Sequence, residues 1–102
     1  MVGNEAFSLM QRGSILVNTA RAELVDEAAL LEALGSGRLA GAGLDVFHNE
    51  PLPADHPLLA MENVVLSPHV GFNTPEATGR IMDIAVDNLV AFYNGAPINV
   101  VS

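Results

Sequence analysis

Apolar residues recur in this chain with two different periods, and the switch between them marks out its elements. Residues 4–11 place Phe7, Met10 and Ala6 toward one side, as a short helix does, and Arg12-Gly13 stops it. Residues 14–18, "SILVN", form a short β-branched apolar run and predict a buried strand. After a loop over residues 19–24, Asp26 is placed to cap a helix with Glu27 in its first turn. That helix, "DEAALLEALGSG", carries Leu30, Leu31 and Leu34 on one stripe and ends in Gly35 to Gly37. The run "LAGAGLDVF", residues 39–47, is small and apolar without polar alternation, which predicts a strand buried on both faces. Gly41 and Gly43 leave room there for a close neighbour.

The second half follows the same logic. Three prolines in "NEPLPADHP" make residues 49–57 a loop, and residues 58–61 suit one helical turn. Residues 63–67 form a third strand. Thr74 as N-cap and Pro75 at the first helical position open a long helix that runs to about Tyr93, where Asn94-Gly95 closes it. The tail "APINVV" reads as extended. Short apolar strands alternating with helices give an α/β fold: a parallel sheet of about three strands, flanked by helices, with a long C-terminal helix. The apolar arc of that helix joins Ile81, Ile84, Ala85, Leu89 and Phe92 to Met82, Val86, Val90 and Tyr93. It is wider than one sheet contact needs, and it predicts a partner surface, in the simplest case a homodimer.

Composition narrows the function. Half of the residues are hydrophobic, so a packed core is expected. Twelve acids against four bases, all of them arginine, give a net charge of −8. Such a surface repels nucleic acid and anionic membrane, and neither is expected as a partner. No apolar run approaches the ~20 residues that span a bilayer. The absence of cysteine excludes thiol chemistry and suits a cytoplasmic setting. No metal site is expected, because the chain lacks H-E-x-x-H and C-x-x-C spacings.

Candidate chemistry collects at three strand ends. Ligands of open parallel sheets bind outside the carboxyl ends of the strands, which lie about 4.8 Å apart. Thr19, Ala20 and Arg21 follow the first strand, Asp45 and then Glu50 follow the second, and His69 follows the third. Arginine clamps carboxylates with two hydrogen bonds, and histidine exchanges protons near neutral pH. A neighbouring carboxylate orients such a histidine. Taken singly, each residue has a plainer explanation. Arg21 could pair with Glu23 or Asp26, Glu50 could be a solvated loop charge, and Asp45 could cap backbone groups. His69 could be a structural histidine, and His48 and His56 read as loop surface.

The segments "GSILVNTARAELVDEAALLEAL", "GRLAGAGLDVFHNEPLP" and "NVVLSPHVGFNT" together resemble consecutive C-terminal signatures of the D-isomer-specific 2-hydroxyacid dehydrogenases. The resemblance covers nearly the whole chain. It implies a partial Rossmann-like domain and reduction of a small 2-keto acid, glyoxylate-like or hydroxypyruvate-like, by NAD or NADP, with NAD favoured. It implies that Arg21 binds the substrate carboxylate and carbonyl oxygen, that His69 is the acid–base group, and that Glu50 orients His69. It also implies that Asp45 holds the nicotinamide carboxamide, with Thr19, Ala20, Arg21, His69 and Gly71 lining the cofactor. Ala22 stands where a glycine usually follows the arginine, and the aromatic Phe72 follows Gly71 where many members have a small residue. A second reading is an oligomeric binding module of the corepressor type, without turnover.

No G-x-G-x-x-G occurs in a strand-to-helix context. The expectation is therefore that residues 1–73 are the C-terminal part of a dinucleotide-binding domain and residues 74–102 its returning helix and tail. Met1 is then an internal methionine, and the isolated chain is nearly inactive.

Overall fold

Three short runs of small and β-branched residues form one parallel sheet. In the computed structural model, which describes residues 1–101, β1 (Ser14–Asn18), β2 (Leu39–Leu44) and β3 (Val64–Leu66) lie side by side in that order. Val17 stands opposite Gly43, and Gly43 opposite Val65, with both pairings parallel. β1 has the predicted bounds. β2 stops before Phe47, because the Phe47 N–H turns away from the ladder to the Glu50 carboxylate, at 3.0 Å. Ladder bonds continue past the assigned ends of β3, from Ala42 N–H to the Asn63 carbonyl and from Ser67 N–H to the Leu44 carbonyl.

The chain divides into two compact units, Met1–Gly71 and the segment from Phe72 onward. In the first, α1 (Asn4–Leu9) ends two residues early, because Met10 already has extended backbone (ψ 150°). α2 (Glu27–Gly35) begins where its cap predicts: the Asp26 carboxylate accepts the Ala29 N–H at 2.9 Å. Ahead of α1, Val2 pairs with Val25 in a single parallel bridge. Phe7 from α1 and Ala29, Leu30, Ala33 and Leu34 from α2 share one core with Leu39, Ala42, Leu44 and Leu58. Leu31 is only half-buried. The residues that were to turn over after the proline-rich loop form a 3₁₀ turn, Pro57–Ala60, which inserts Leu58 into this core. Gly41 is where the close approach occurs: a Cβ there would lie 2.6 Å from the Asn63 carbonyl oxygen.

One expectation is corrected here. β2, expected to be buried on both faces, is mostly so, with Ala40 exposed and Gly43 half-buried. β1, expected to be a buried strand, is buried on one face only, and so is β3. Leu16, Val64 and Leu66 turn toward the core, whereas Ile15, Val17 and Val65 on the opposite face are exposed. Parallel sheets are ordinarily covered on both sides. In this unit α1 and α2 pack into a single core with one side of the sheet, so the other side stays open.

In the second unit, α3 (Pro75–Tyr93) starts with the Thr74 hydroxyl accepting the Ala77 N–H at 3.1 Å. It ends at Asn94, and Gly95 takes the left-handed conformation (φ 74°). None of its residues is buried, and Ile81, Ile84, Val86, Leu89 and Phe92 are exposed. The tail is not uniformly extended: Asn99 is left-handed (φ 54°), and its side chain donates to Asn88 Oδ1 at 2.9 Å. No helix among the described residues is long and apolar enough to cross a membrane.

Candidate active site

His69 lies just past β3, where Pro68 ends the strand, and Glu50 comes from the loop after β2. Nδ1 of His69 lies 2.9 Å from Glu50 Oε2 and 3.1 Å from Oε1. An ionised carboxylate only accepts hydrogen bonds, so in this pair Nδ1 is the nitrogen that carries the proton. Glu50 is held in turn by the Phe47 N–H on Oε1. The hydrogen bond with His69, then that with Phe47, keeps the Glu50 carboxyl below its ordinary value, against a smaller desolvation effect. Glu50 is therefore not a freely solvated charge. Both side chains keep somewhat more than a third of their surface exposed, so the pair is open to a ligand. An apolar cavity of about 440 Å³, walled by Phe47, Leu52, Leu59 and Pro68, adjoins it.

Asp45 explains why His69 is where it is. Its side chain is nearly inaccessible, at 3% exposure. Oδ1 accepts the Ser67 hydroxyl at 2.5 Å and the Val70 N–H at 3.0 Å, and Oδ2 accepts the Gly71 N–H at 2.8 Å. One carboxylate thus grips the loop on both sides of His69. The Ser67 bond, followed by those from Gly71 and Val70, lowers the Asp45 pKa despite burial. His69 itself has φ 55°, a left-handed conformation costing on the order of 1–3 kcal/mol that surrounding contacts must offset. Gly71 is required by contact rather than by conformation, since a Cβ there would lie 2.9 Å from Asp45 Oδ2. Backbone capping, the plainer explanation of Asp45, is what the geometry displays. Ser67, which sequence reasoning passed over, is part of that clamp.

Arg21 sits beyond β1, exposed, with Nη1 donating to the Ala20 carbonyl at 2.6 Å. Among the described residues it forms no ion pair with Glu23, Asp26 or Glu50. Asp45 follows the middle strand, and beside it the two outer loops approach each other: a Cβ on Gly71 would lie 4.0 Å from the Thr19 Cβ. Asn18, also unflagged by sequence, is buried at the end of β1, with its amide bonded to Ala20 and Arg21. A buried polar residue closing a strand was the only available signal. His48 is exposed, as expected, with Nε2 3.3 Å from the Val25 carbonyl oxygen. His56 is not loop surface: its side chain is 12% exposed, lies 3.3 Å from Glu27, and accepts the Leu58 N–H through Nδ1. No group of three or more histidines and carboxylates among the described residues is placed to hold a metal ion.

The residues present fit the nicotinamide end of a dinucleotide. Oδ2 of Asp45 accepts the Gly71 N–H and, with its second lone pair, retains acceptor capacity for a carboxamide N–H. The missing Cβ of Gly71 keeps the space beside that oxygen clear. The glycine-rich strand-to-helix turn that binds a pyrophosphate is not among these residues.

Comparison with known proteins supplies an independent finding. A family model described as D-isomer specific 2-hydroxyacid dehydrogenase, NAD binding domain, matches residues 1–71. A glyoxylate reductase of Korarchaeum cryptofilum is 48% identical over 103 residues, covering 100% of this chain and 31% of the relative. A hydroxypyruvate reductase of Blautia hydrogenotrophica is 43% identical over 102 residues, covering 100% of this chain and 32% of the relative. Among solved structures, a glyoxylate reductase from Paecilomyes thermophila superposes with a TM-score of 0.82 at 37% identity, over 96% of this chain and 30% of that one. A D-isomer specific 2-hydroxyacid dehydrogenase from Xanthobacter autotrophicus, solved with NADPH and MES, gives a TM-score of 0.80 at 40% identity, over 97% of this chain and 40% of that one. The chain spans about a third of the length of these curated relatives.

Proposed function

The chain belongs to the D-isomer-specific 2-hydroxyacid dehydrogenase family, and on that premise we propose that the protein containing it reduces a small 2-keto acid, of glyoxylate or hydroxypyruvate type, with a nicotinamide cofactor. The observation that carries this is the Glu50–His69 pair at a strand end, with Nδ1 committed to the carboxylate. Thr19, Ala20, Arg21, Asp45, His69 and Gly71 would hold the nicotinamide end of the cofactor, which would supply a hydride when bound. His69 Nε2 then delivers a proton to the substrate's C2 oxygen, and Glu50 stabilises the charged ring that precedes transfer. Arg21 leaves its loop carbonyl to take the substrate carboxylate and polarise the keto oxygen. Asp45 keeps the His69 loop in place.

We assign residues 1–73 to the C-terminal part of the dinucleotide-binding domain and residues 74–102 to a returning helix and tail. NAD is the cofactor we favour; the ratio of kcat/KM with NADH to that with NADPH tests it. A cytoplasmic setting accords with the cysteine-free composition.

The decisive experiment is His69→Ala in the intact protein, assayed with NADH and glyoxylate or hydroxypyruvate. Loss of a general acid lowers kcat by about 10²–10⁴-fold. A rate near that of the wild type would remove His69 from the chemistry.

A second reading, an oligomeric binding module without turnover, is favoured by the exposed apolar side chains of α3. Light scattering separates them from a dimeric enzyme only together with the assay. A monomer would count against both the module and the dimer, and turnover would count against the module.

A further inference from the structure

We infer that Asn18 is a positioning residue for Arg21: its side-chain amide holds the turn that presents the guanidinium to a substrate carboxylate. Asn18 ends β1 and is 7% exposed. Its Oδ1 accepts the Ala20 N–H at 3.1 Å, and its Nδ2 donates to the Arg21 carbonyl at 2.9 Å. Its own backbone carbonyl accepts the Asp45 N–H at 3.0 Å, which ties the turn to the neighbouring strand. The Arg21 carbonyl also accepts the Leu24 N–H at 3.3 Å and so starts the 3₁₀ turn Ala22–Leu24. One amide therefore links the strand end, the turn and the following helical turn.

The chemistry of the site selects this side chain. Closing the turn on both sides needs one acceptor and one donor on a two-carbon stem, which asparagine provides. Aspartate keeps the acceptor for Ala20 but sets a second oxygen against the Arg21 carbonyl. Serine keeps a short acceptor and lacks the reach for the far side. Arg21 is itself exposed and touches its own loop through the Ala20 carbonyl. Where its guanidinium can go when a carboxylate arrives is thus set by the turn that Asn18 closes.

This role rests on the proposed function, since it acts through the grip of Arg21 on a 2-keto acid. The test is a double-mutant cycle in the intact protein: wild type, Asn18→Asp, Arg21→Ala and the double variant, with glyoxylate varied at saturating NADH. Asn18→Asp is expected to raise KM for glyoxylate about tenfold, the cost of one lost buried hydrogen bond. The accompanying change in kcat stays under about threefold, because the proton donor is untouched. On the Arg21→Ala background the same substitution changes kcat/KM by less than about twofold, because the interaction it serves is gone. Asn18→Ser carries the cycle if the aspartate variant melts without cooperativity. Equal losses with and without Arg21, or an unchanged KM, overturn the positioning role and leave the function standing. A wild type without NADH-dependent turnover of glyoxylate or hydroxypyruvate overturns both.

Discussion

Glu50 Oε2 lies 2.9 Å from Nδ1 of His69, although the two are nineteen positions apart in the chain. The loop after one strand and the loop after the next are thereby joined through a carboxylate–imidazole pair. The bond commits Nδ1 to the carboxylate, and the proton transfer we propose for His69 rests on that arrangement.

Replacing Glu50 by Gln keeps the shape and removes the charge. We predict that Glu50→Gln lowers kcat for keto-acid reduction by roughly 10–100-fold, since the charged ring loses its counter-ion. A kcat equal to that of the wild type would show that the pair is only structural.

Acid should weaken the first unit through two named carboxyls. Glu50 and Asp45 are held below their ordinary values of 4.5 and 3.8, Glu50 chiefly by His69 and Asp45 chiefly by Ser67. A depressed carboxyl contributes stability that is complete above its unfolded value and is lost as pH falls through its folded value. The melting temperature should therefore fall as pH drops below 4.5. Asp45→Asn should start less stable and show a shallower fall below 3.8. Parallel melting curves for the two proteins at acid pH would refute the assignment.

Gly71→Ala is predicted to destabilise the fold by about 1–3 kcal/mol, as overpacking does. Its Cβ would lie 2.9 Å from Asp45 Oδ2, and that oxygen belongs to a carboxylate held by Ser67, Val70 and the Gly71 N–H itself. Denaturant unfolding gives the magnitude, and faster amide exchange at Val70 would place the damage in the His69 loop. An unchanged midpoint would mean that the loop gives way freely.

Arg21→Lys keeps the charge and loses the planar fork. KM for the keto acid should rise by about 10–100-fold, the worth of a charged hydrogen bond. Steady-state kinetics with glyoxylate decide it. A lysine variant with normal KM would show that Arg21 contributes charge alone.

Leu39→Ala tests the core independently of the site. Leu39 is fully buried beneath α1 and α2, and its truncation should cost about 2–5 kcal/mol. Cooperative unfolding in urea measures the loss. A cost below about 1 kcal/mol would mean that the core collapses around the gap.

Much of this was legible before any coordinates. The Asp26 and Thr74 caps could be read because a cap bonds a group three residues away, within reach of local pattern. The strands could be read because apolar runs between glycine and proline signals have few alternatives. The parallel pairing of β1 with β2 follows from the helix between them, and the sheet places Arg21, Asp45 and His69 beyond neighbouring strand ends. The exposed outer face of the sheet was not legible, because the strand residues look alike whether or not a helix covers them. His56 looked like loop surface until the fold brought Glu27 beside it.

The sequence by itself determined the elements, their polarity in the sheet and which ionisable residues stand at its carboxyl edge, because each depends on periods and caps spanning a few residues. Only the tertiary structure decided what those residues do to one another. Asp45 gripping the loop around His69, and Glu50 reaching its ring, are bonds between residues nineteen to twenty-six positions apart. Such bonds depend on the register of three strands and the path of two loops, and neither leaves a periodic trace in the chain.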